Sequence, residues 1–338
     1  MTSSASIQLH IANAIPPGNE KETSDIIALW QEVSGFFADK SFSSRSDFRG
    51  DVHDYHVTLD AGPLLKALEN ARTESGSFTE HQQAFIDDAG KIMEGGLIIT
   101  IASEKQELAE EESYQVATAF IQQLVMATHI ACPGSFQILN ARFLGENAHL
   151  YEAQHFDARI FYGAYKTAIE NEWPKLRNLA FGEVWNWLEG TEVSQTYTAI
   201  KSIDKSLFTL LKVAEQRNEY SARTALLVMY QIEVLLDCRQ FNSLEDVRNR
   251  TRLVLGNIPE AADCLQELHE VRNHLFTANQ PVHPPMLICH TAERALREQL
   301  GQHNSAVESG TALVLKLFQD LVAHGAYRYR FTESFTRD

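Results

Sequence analysis

The chain has 338 residues, 44% apolar and 22% charged, the balance of a folded globular protein, which excludes disordered and collagen-like classes. Against 29 Lys and Arg stand 45 Asp and Glu, a formal charge of −16, so the surface as a whole repels phosphate polymers. The length points to two domains or one large one with appendages, any nucleic acid contact must be local, and DNA is not an expected partner.

No apolar run reaches the roughly 18 to 20 residues that span a bilayer, and Met1 to Pro17 lacks the basic and apolar regions of a signal peptide. The expectation is a cytoplasmic protein without membrane contact. Cys132, Cys238, Cys264 and Cys289 are far apart and form no C-x-x-C pair, so they read as free thiols. No cofactor is expected.

Residues 1–180 hold most of the acidity, with 13 Lys and Arg against 25 Asp and Glu. Strands are expected at His56–Leu59 and Leu97–Ile101 from their β-branched content, with Gly95-Gly96 as punctuation. Ser135 to Phe143 and His149 to Ile160 read as further strands around a Gly145-Glu146-Asn147 turn. Helical patterns lie at Asp25–Phe37, Pro63–Ala71, Glu80–Met93 and Ser113–Ile130. In the last, Val116, Phe120, Ile121, Leu124 and Thr128 form one buried stripe behind an acidic cluster from Glu104 to Glu112. His53 and His56 form an H-x-x-H pair, but strand alternation sends them to opposite faces and no third ligand is evident, so no metal is expected. This part reads as an α+β domain.

From Phe181 onward the spacing predicts helices only, an all-α bundle over 181–326 with a tail at 327–338. Trp185, Trp187 and Leu188 mark a short helix docking onto the bundle helices after it. Stripes then run through Ile203, Leu207, Leu210 and Leu211; through Leu226, Met229, Ile232 and Leu236; and through Leu244, Val247, Thr251, Val254 and Leu255. After Gly256 and Pro259 a fourth stripe carries Leu265, Leu268 and Leu275, and Pro281, Pro284 and Pro285 stop it. Two more helices are expected around Ala292–Leu300 and Gly310–His324. Arg248, Arg250 and Arg252 read as a solvated face, and Tyr327 to Phe331 as a docking peptide that also has the alternation of a single-strand binder.

Arg272 stands seven residues after Leu265 and four after Leu268, where the fourth stripe calls for an apolar side chain. An inward arginine needs a partner, and Glu233, at the edge of the second stripe, offers a carboxylate. The pair serves either to fix helix register or to place an arginine for phosphate.

The run Glu270-Val271-Arg272-Asn273-His274-Leu275-Phe276-Thr277-Ala278, followed by Pro281-Val282-His283-Pro284, resembles the R-N-x-x-x-H motif of HEPN domains, in particular the ApeA-like group. Trp185-Asn186-Trp187-Leu188, the helix Leu226 to Leu235 with its inward Glu233, and Leu253-Val254-Leu255-Gly256 extend the likeness over 181–326. The resemblance implies a helical bundle that pairs into a homodimer, with RNA or a nucleotide as partner. It also implies a metal-independent ribonuclease site in active members, often in phage defence. The motif arginine falls on Arg272 and the next polar residue on Asn273, but the motif histidine falls on Thr277 and the glycine after it on Ala278. A threonine hydroxyl cannot exchange a proton at neutral pH as an imidazole does. His274 points away on a regular helix, His269 lies a turn too early, and His283 sits in a loop able to fold back as a displaced base. The expected function is therefore a non-catalytic RNA- or nucleotide-binding or regulatory HEPN-like protein. An active ribonuclease using His283, or a purely structural oligomerisation protein, are the alternatives.

Overall fold

A computed structural model describes residues 6–14, 20–38, 40–45, 52–74, 96–103, 110–144, 153–157, 159–215, 222–238, 244–276 and 294–332. The fold is α+β. The chain divides into two compact units, Met1–Tyr162 with Arg177–Ala199, and Gly163–Leu176 with Ile200–Asp338. The helix Glu80–Met93, the turn at Gly145, Thr277, Ala278, the proline-rich stretch with His283, and Cys289 lie outside the described residues.

The first unit is built on an antiparallel sheet of β1 (Ser6–Ala14), β2 (Ser41–Arg45), β3 (Val52–Asp60), β4 (Gly96–Ala102) and β5 (Gln137–Leu144), in the order β2-β3-β4-β1-β5. Alternation fixes its buried face. Tyr55, Val57 and Leu59 of β3 stand in register with Phe42, Ile101 and Ile99 respectively, and all six are buried. The helices of this unit are α1 (Glu20–Phe36), α2 (Gly62–Glu74) and α3 (Glu110–Ala131). Val116, Phe120, Ile121, Leu124 and Thr128 of α3 are all buried, and Thr128 closes its hydroxyl onto the Leu124 carbonyl at 2.8 Å.

The structure corrects two expectations in this region. The sequence pattern marks no strand at Ser6–Ala14 or Ser41–Arg45, yet β1 lies inside the sheet between β4 and β5. The described residues of 149–160 form no strand. Their described part makes one isolated bridge, Ile138 to Phe156, and α4 (Arg159–Glu170) begins within the range. Asp157 is the local cause: its carboxylate accepts from the Arg159 backbone N–H at 2.9 Å and from the Arg159 Nε at 2.9 Å, which starts a helix where a strand would have continued.

The short helix α5 (Phe181–Glu189) belongs to the first unit instead of the bundle. Its Trp185 is fully buried, 4.8 Å from Phe37 and 5.6 Å from Phe120 in edge-on and tilted contacts, and Phe181 meets Phe36 at 5.5 Å. Aromatic burial of this size decides where the helix docks.

The second unit contains α6 (Ser202–Ala214), α7 (Ala222–Leu235), α8 (Leu244–Leu255), α9 (Leu265–Phe276) and α10 (Arg294–Ala323), and no strand among its described residues. The two helices expected around 292–300 and 310–324 are one continuous helix of 30 residues. Gly301 and Gly310 both lie within it, and a glycine weakens a helix by about 1 kcal/mol without ending it. Helix α7 is central and packs against α6, α9 and α10. Val228, Met229 and Ile232 are fully buried, and Gln231 donates to the Ser206 carbonyl at 3.0 Å. After α10 the chain turns at Gly325, φ 57, and runs back along the helix. The Tyr329 hydroxyl lies 3.0 Å from the Leu317 carbonyl and 2.9 Å from Asp320, and burial first, then Asp320, pushes its pKa up.

Candidate functional site

Two helix ends set the position of the Glu233 and Arg272 side chains. Helix α7 closes with Asp237 in the left-handed region at φ 53, and Cys238 N–H reaches back to the Glu233 carbonyl at 2.7 Å. Arg250 of α8 donates to the Leu236 carbonyl at 2.9 Å and stacks over Phe331 at 4.8 Å. Just ahead of helix α9, the Asp263 carboxylate accepts from Leu265 N–H at 3.2 Å and pairs with Arg248 of α8 at 3.0 Å. The solvated face expected of Arg248, Arg250 and Arg252 is thus two structural contacts and one exposed arginine, Arg252, near Glu245.

Between these ends, Arg272 Nη1 donates to Glu233 Oε1. The side chains are 20% and 24% exposed, so the pair sits at the rim of the bundle and not deep in its core. Arg272 Nη2 lies 2.9 Å from His269 Nδ1. Because the guanidinium only donates, Nδ1 is the acceptor and the imidazole proton is on Nε2. Burial, and after it the charge of Arg272, holds the His269 pKa below its ordinary value, which keeps the ring neutral. Described residues engage two of the five guanidinium N–H groups. Asn273 is exposed on the next position of α9.

Among the sequence-predicted residues, the fold thus brings Arg272 and Glu233 together and places Asn273 beside them. His283 and Thr277 lie outside the described residues. Position along the helix puts His269 a turn too early, yet it is in direct contact with Arg272. The sequence holds the reason: helical side chains lean toward the N-terminus, so a long arginine covers the turn before its own Cα.

Close packing holds the two helices at this spacing. Gly310 of α10 faces α7 and α9, and a Cβ there would stand 2.7 Å from both Val228 Cγ1 and Leu268 Cδ1. Both neighbours are fully buried and cannot yield freely. Gly310→Ala is expected to destabilise the protein by about 1–3 kcal/mol in urea unfolding, and an unchanged midpoint would contradict this packing.

No family model, no curated protein and no solved structure matches the chain.

Proposed function

We propose that the helical unit is a HEPN-like bundle whose Arg272 binds a phosphate of RNA or of a nucleotide without cleaving it. The resemblance of Arg272-Asn273 and of the Glu233 helix to the family supports this reading. The observation that carries it is the contact between Arg272 and His269. An arginine held by a carboxylate and an imidazole, with N–H groups that no described residue takes, is oriented toward an anion at the rim of the bundle. The same contact argues against catalysis by this histidine. Its one basic lone pair is occupied by the guanidinium, and Nε2 carries the proton, so His269 has no base to offer a ribose hydroxyl.

The test is incubation of the full chain with total RNA and tRNA in EDTA, beside Arg272→Ala. RNA is expected to stay intact and to be retarded in a native gel, with retardation by the variant about tenfold weaker. Metal-independent cleavage lost in Arg272→Ala would replace this reading by an active ribonuclease with its base elsewhere, His283 first. Equal retardation by both proteins, or none, would leave Arg272 as a structural residue.

A further inference from the structure

A second site lies in the first unit, where a cleft of about 310 Å³ is lined by Gln123 of α3, by Lys40 and Phe42 around the start of β2, by Glu189 at the end of α5 and by Gln195 after it. Gln123 is 1% exposed, and neither the nitrogen nor the oxygen of its carboxamide has a hydrogen-bond partner among the described residues. A buried donor and a buried acceptor, each without a partner, have given up their hydration with nothing in its place. In native proteins such groups are rare and have a specific reason, a bound species being one of them. On α3, Gln123 stands seven residues after Val116 and three after Phe120, so it occupies a stripe position that an apolar residue would fill at no cost.

The charges around the cleft are already matched. Lys40 Nζ lies 3.3 Å from Glu189 Oε2 and 3.1 Å from Asn186 Oδ1, and it stands over the Phe36 ring at 4.8 Å. Glu189 also accepts from the Trp185 indole at 3.0 Å. A charged ligand would have to break this arrangement, whereas a neutral one need not. Phe42, 2% exposed, gives the cleft an apolar wall. The volume is at the small end of ligand pockets, the size of one planar ring system with a substituent.

We propose that this cleft binds a small neutral molecule through an amide-type edge, an N–H donor beside a carbonyl or ring-nitrogen acceptor, received by the two atoms of the Gln123 carboxamide. That edge belongs to nucleobases and to primary carboxamides. The proposal is independent of the Arg272 site.

The experiment is calorimetric titration of the full chain with adenosine, uridine and nicotinamide, repeated on Gln123→Leu and on Gln123→Met. The wild type is expected to bind at least one of the three saturably. The nucleosides binding without nicotinamide, or the reverse, says which source of the edge the cleft takes. Either substitution is expected to weaken binding more than tenfold while raising the thermal midpoint of the unliganded protein, because the unpartnered amide is gone. The methionine variant keeps the length of the side chain if leucine fails to fold. Absence of binding by all three compounds, or equal binding by a folded variant, overturns the proposal.

Discussion

Replacing Glu233 by leucine with Arg272 in place is expected to destabilise the helical unit by about 2–3 kcal/mol in urea unfolding. A fully buried pair broken on one side costs more, about 3–5 kcal/mol, but water reaches a fifth of the Arg272 side chain and relieves part of that. His269 would remain the one described partner of the guanidinium, and it is neutral. Replacing both residues, Glu233 by leucine and Arg272 by methionine, is expected to recover most of the loss, since neither group is then desolvated. The double-mutant cycle should therefore show coupling above about 1 kcal/mol, against the roughly 0.3–0.5 kcal/mol of independent sites. Additive effects would mean that the two side chains do not act as a pair.

The second large effect concerns acid. His129 of α3 is fully buried, stacked on Phe161 at 4.2 Å with 26° between the rings. Burial lowers its pKa from 6.5 to about 3, the Phe136 backbone acting weakly in the opposite sense. Above pH 6.5 the ring is neutral in both the folded and the unfolded chain, and it adds no pH dependence. Below 6.5 the unfolded chain takes up a proton that the folded chain refuses, so stability falls as pH falls, by about 1.4 kcal/mol per pH unit, down to about pH 3. Between about pH 7.5 and 5.0 this amounts to about 2 kcal/mol. His129→Leu, similar in volume and without a titrating group, is expected to lose about 2 kcal/mol less than the wild type over that range. Parallel losses in urea titrations at the two pH values would show that His129 protonates in the folded state.

The elements legible in the sequence are those whose pattern is unmixed. Ile98 to Ile101 is a continuous β-branched run behind Leu97, and it lies in β4. The α3 stripe keeps helical spacing along its whole length, and its five residues are buried. In β1 the apolar residues Ile7, Leu9 and Ile11 alternate with Gln8 and His10, which is a period of two, but the polar positions and the short length dilute it. In α4 the buried Phe161, Ala164 and Ala168 have helical spacing, and the Asp157 cap that begins the helix works through one side chain that periodicity does not register. The docking of α5 depends on Phe36, Phe37 and Phe120, far away in sequence, and no local pattern specifies such a contact.

At the candidate site the spacing of Leu265, Leu268 and Arg272 is enough to turn the arginine inward and to nominate Glu233. His269 needs the direction of the side chain as well as its angle around the helix. Gln123 breaks an apolar stripe as Arg272 does, and the same spacing argument applies to it. Its unpartnered amide is a property of three-dimensional packing alone.

The claim that Arg272 serves an anion, and not only helix register, is tested most directly by fluorescence anisotropy of a labelled oligouridine in EDTA at low salt. Wild type, Arg272→Ala and Glu233→Gln are compared, each shown folded by circular dichroism. Glu233→Gln keeps the packing and removes the competing carboxylate, so the account predicts binding at least as tight as wild type. Arg272→Ala is predicted to bind about tenfold more weakly, a loss near 1.4 kcal/mol. Wild-type affinity in Arg272→Ala, or equal weakening in both variants, would contradict it.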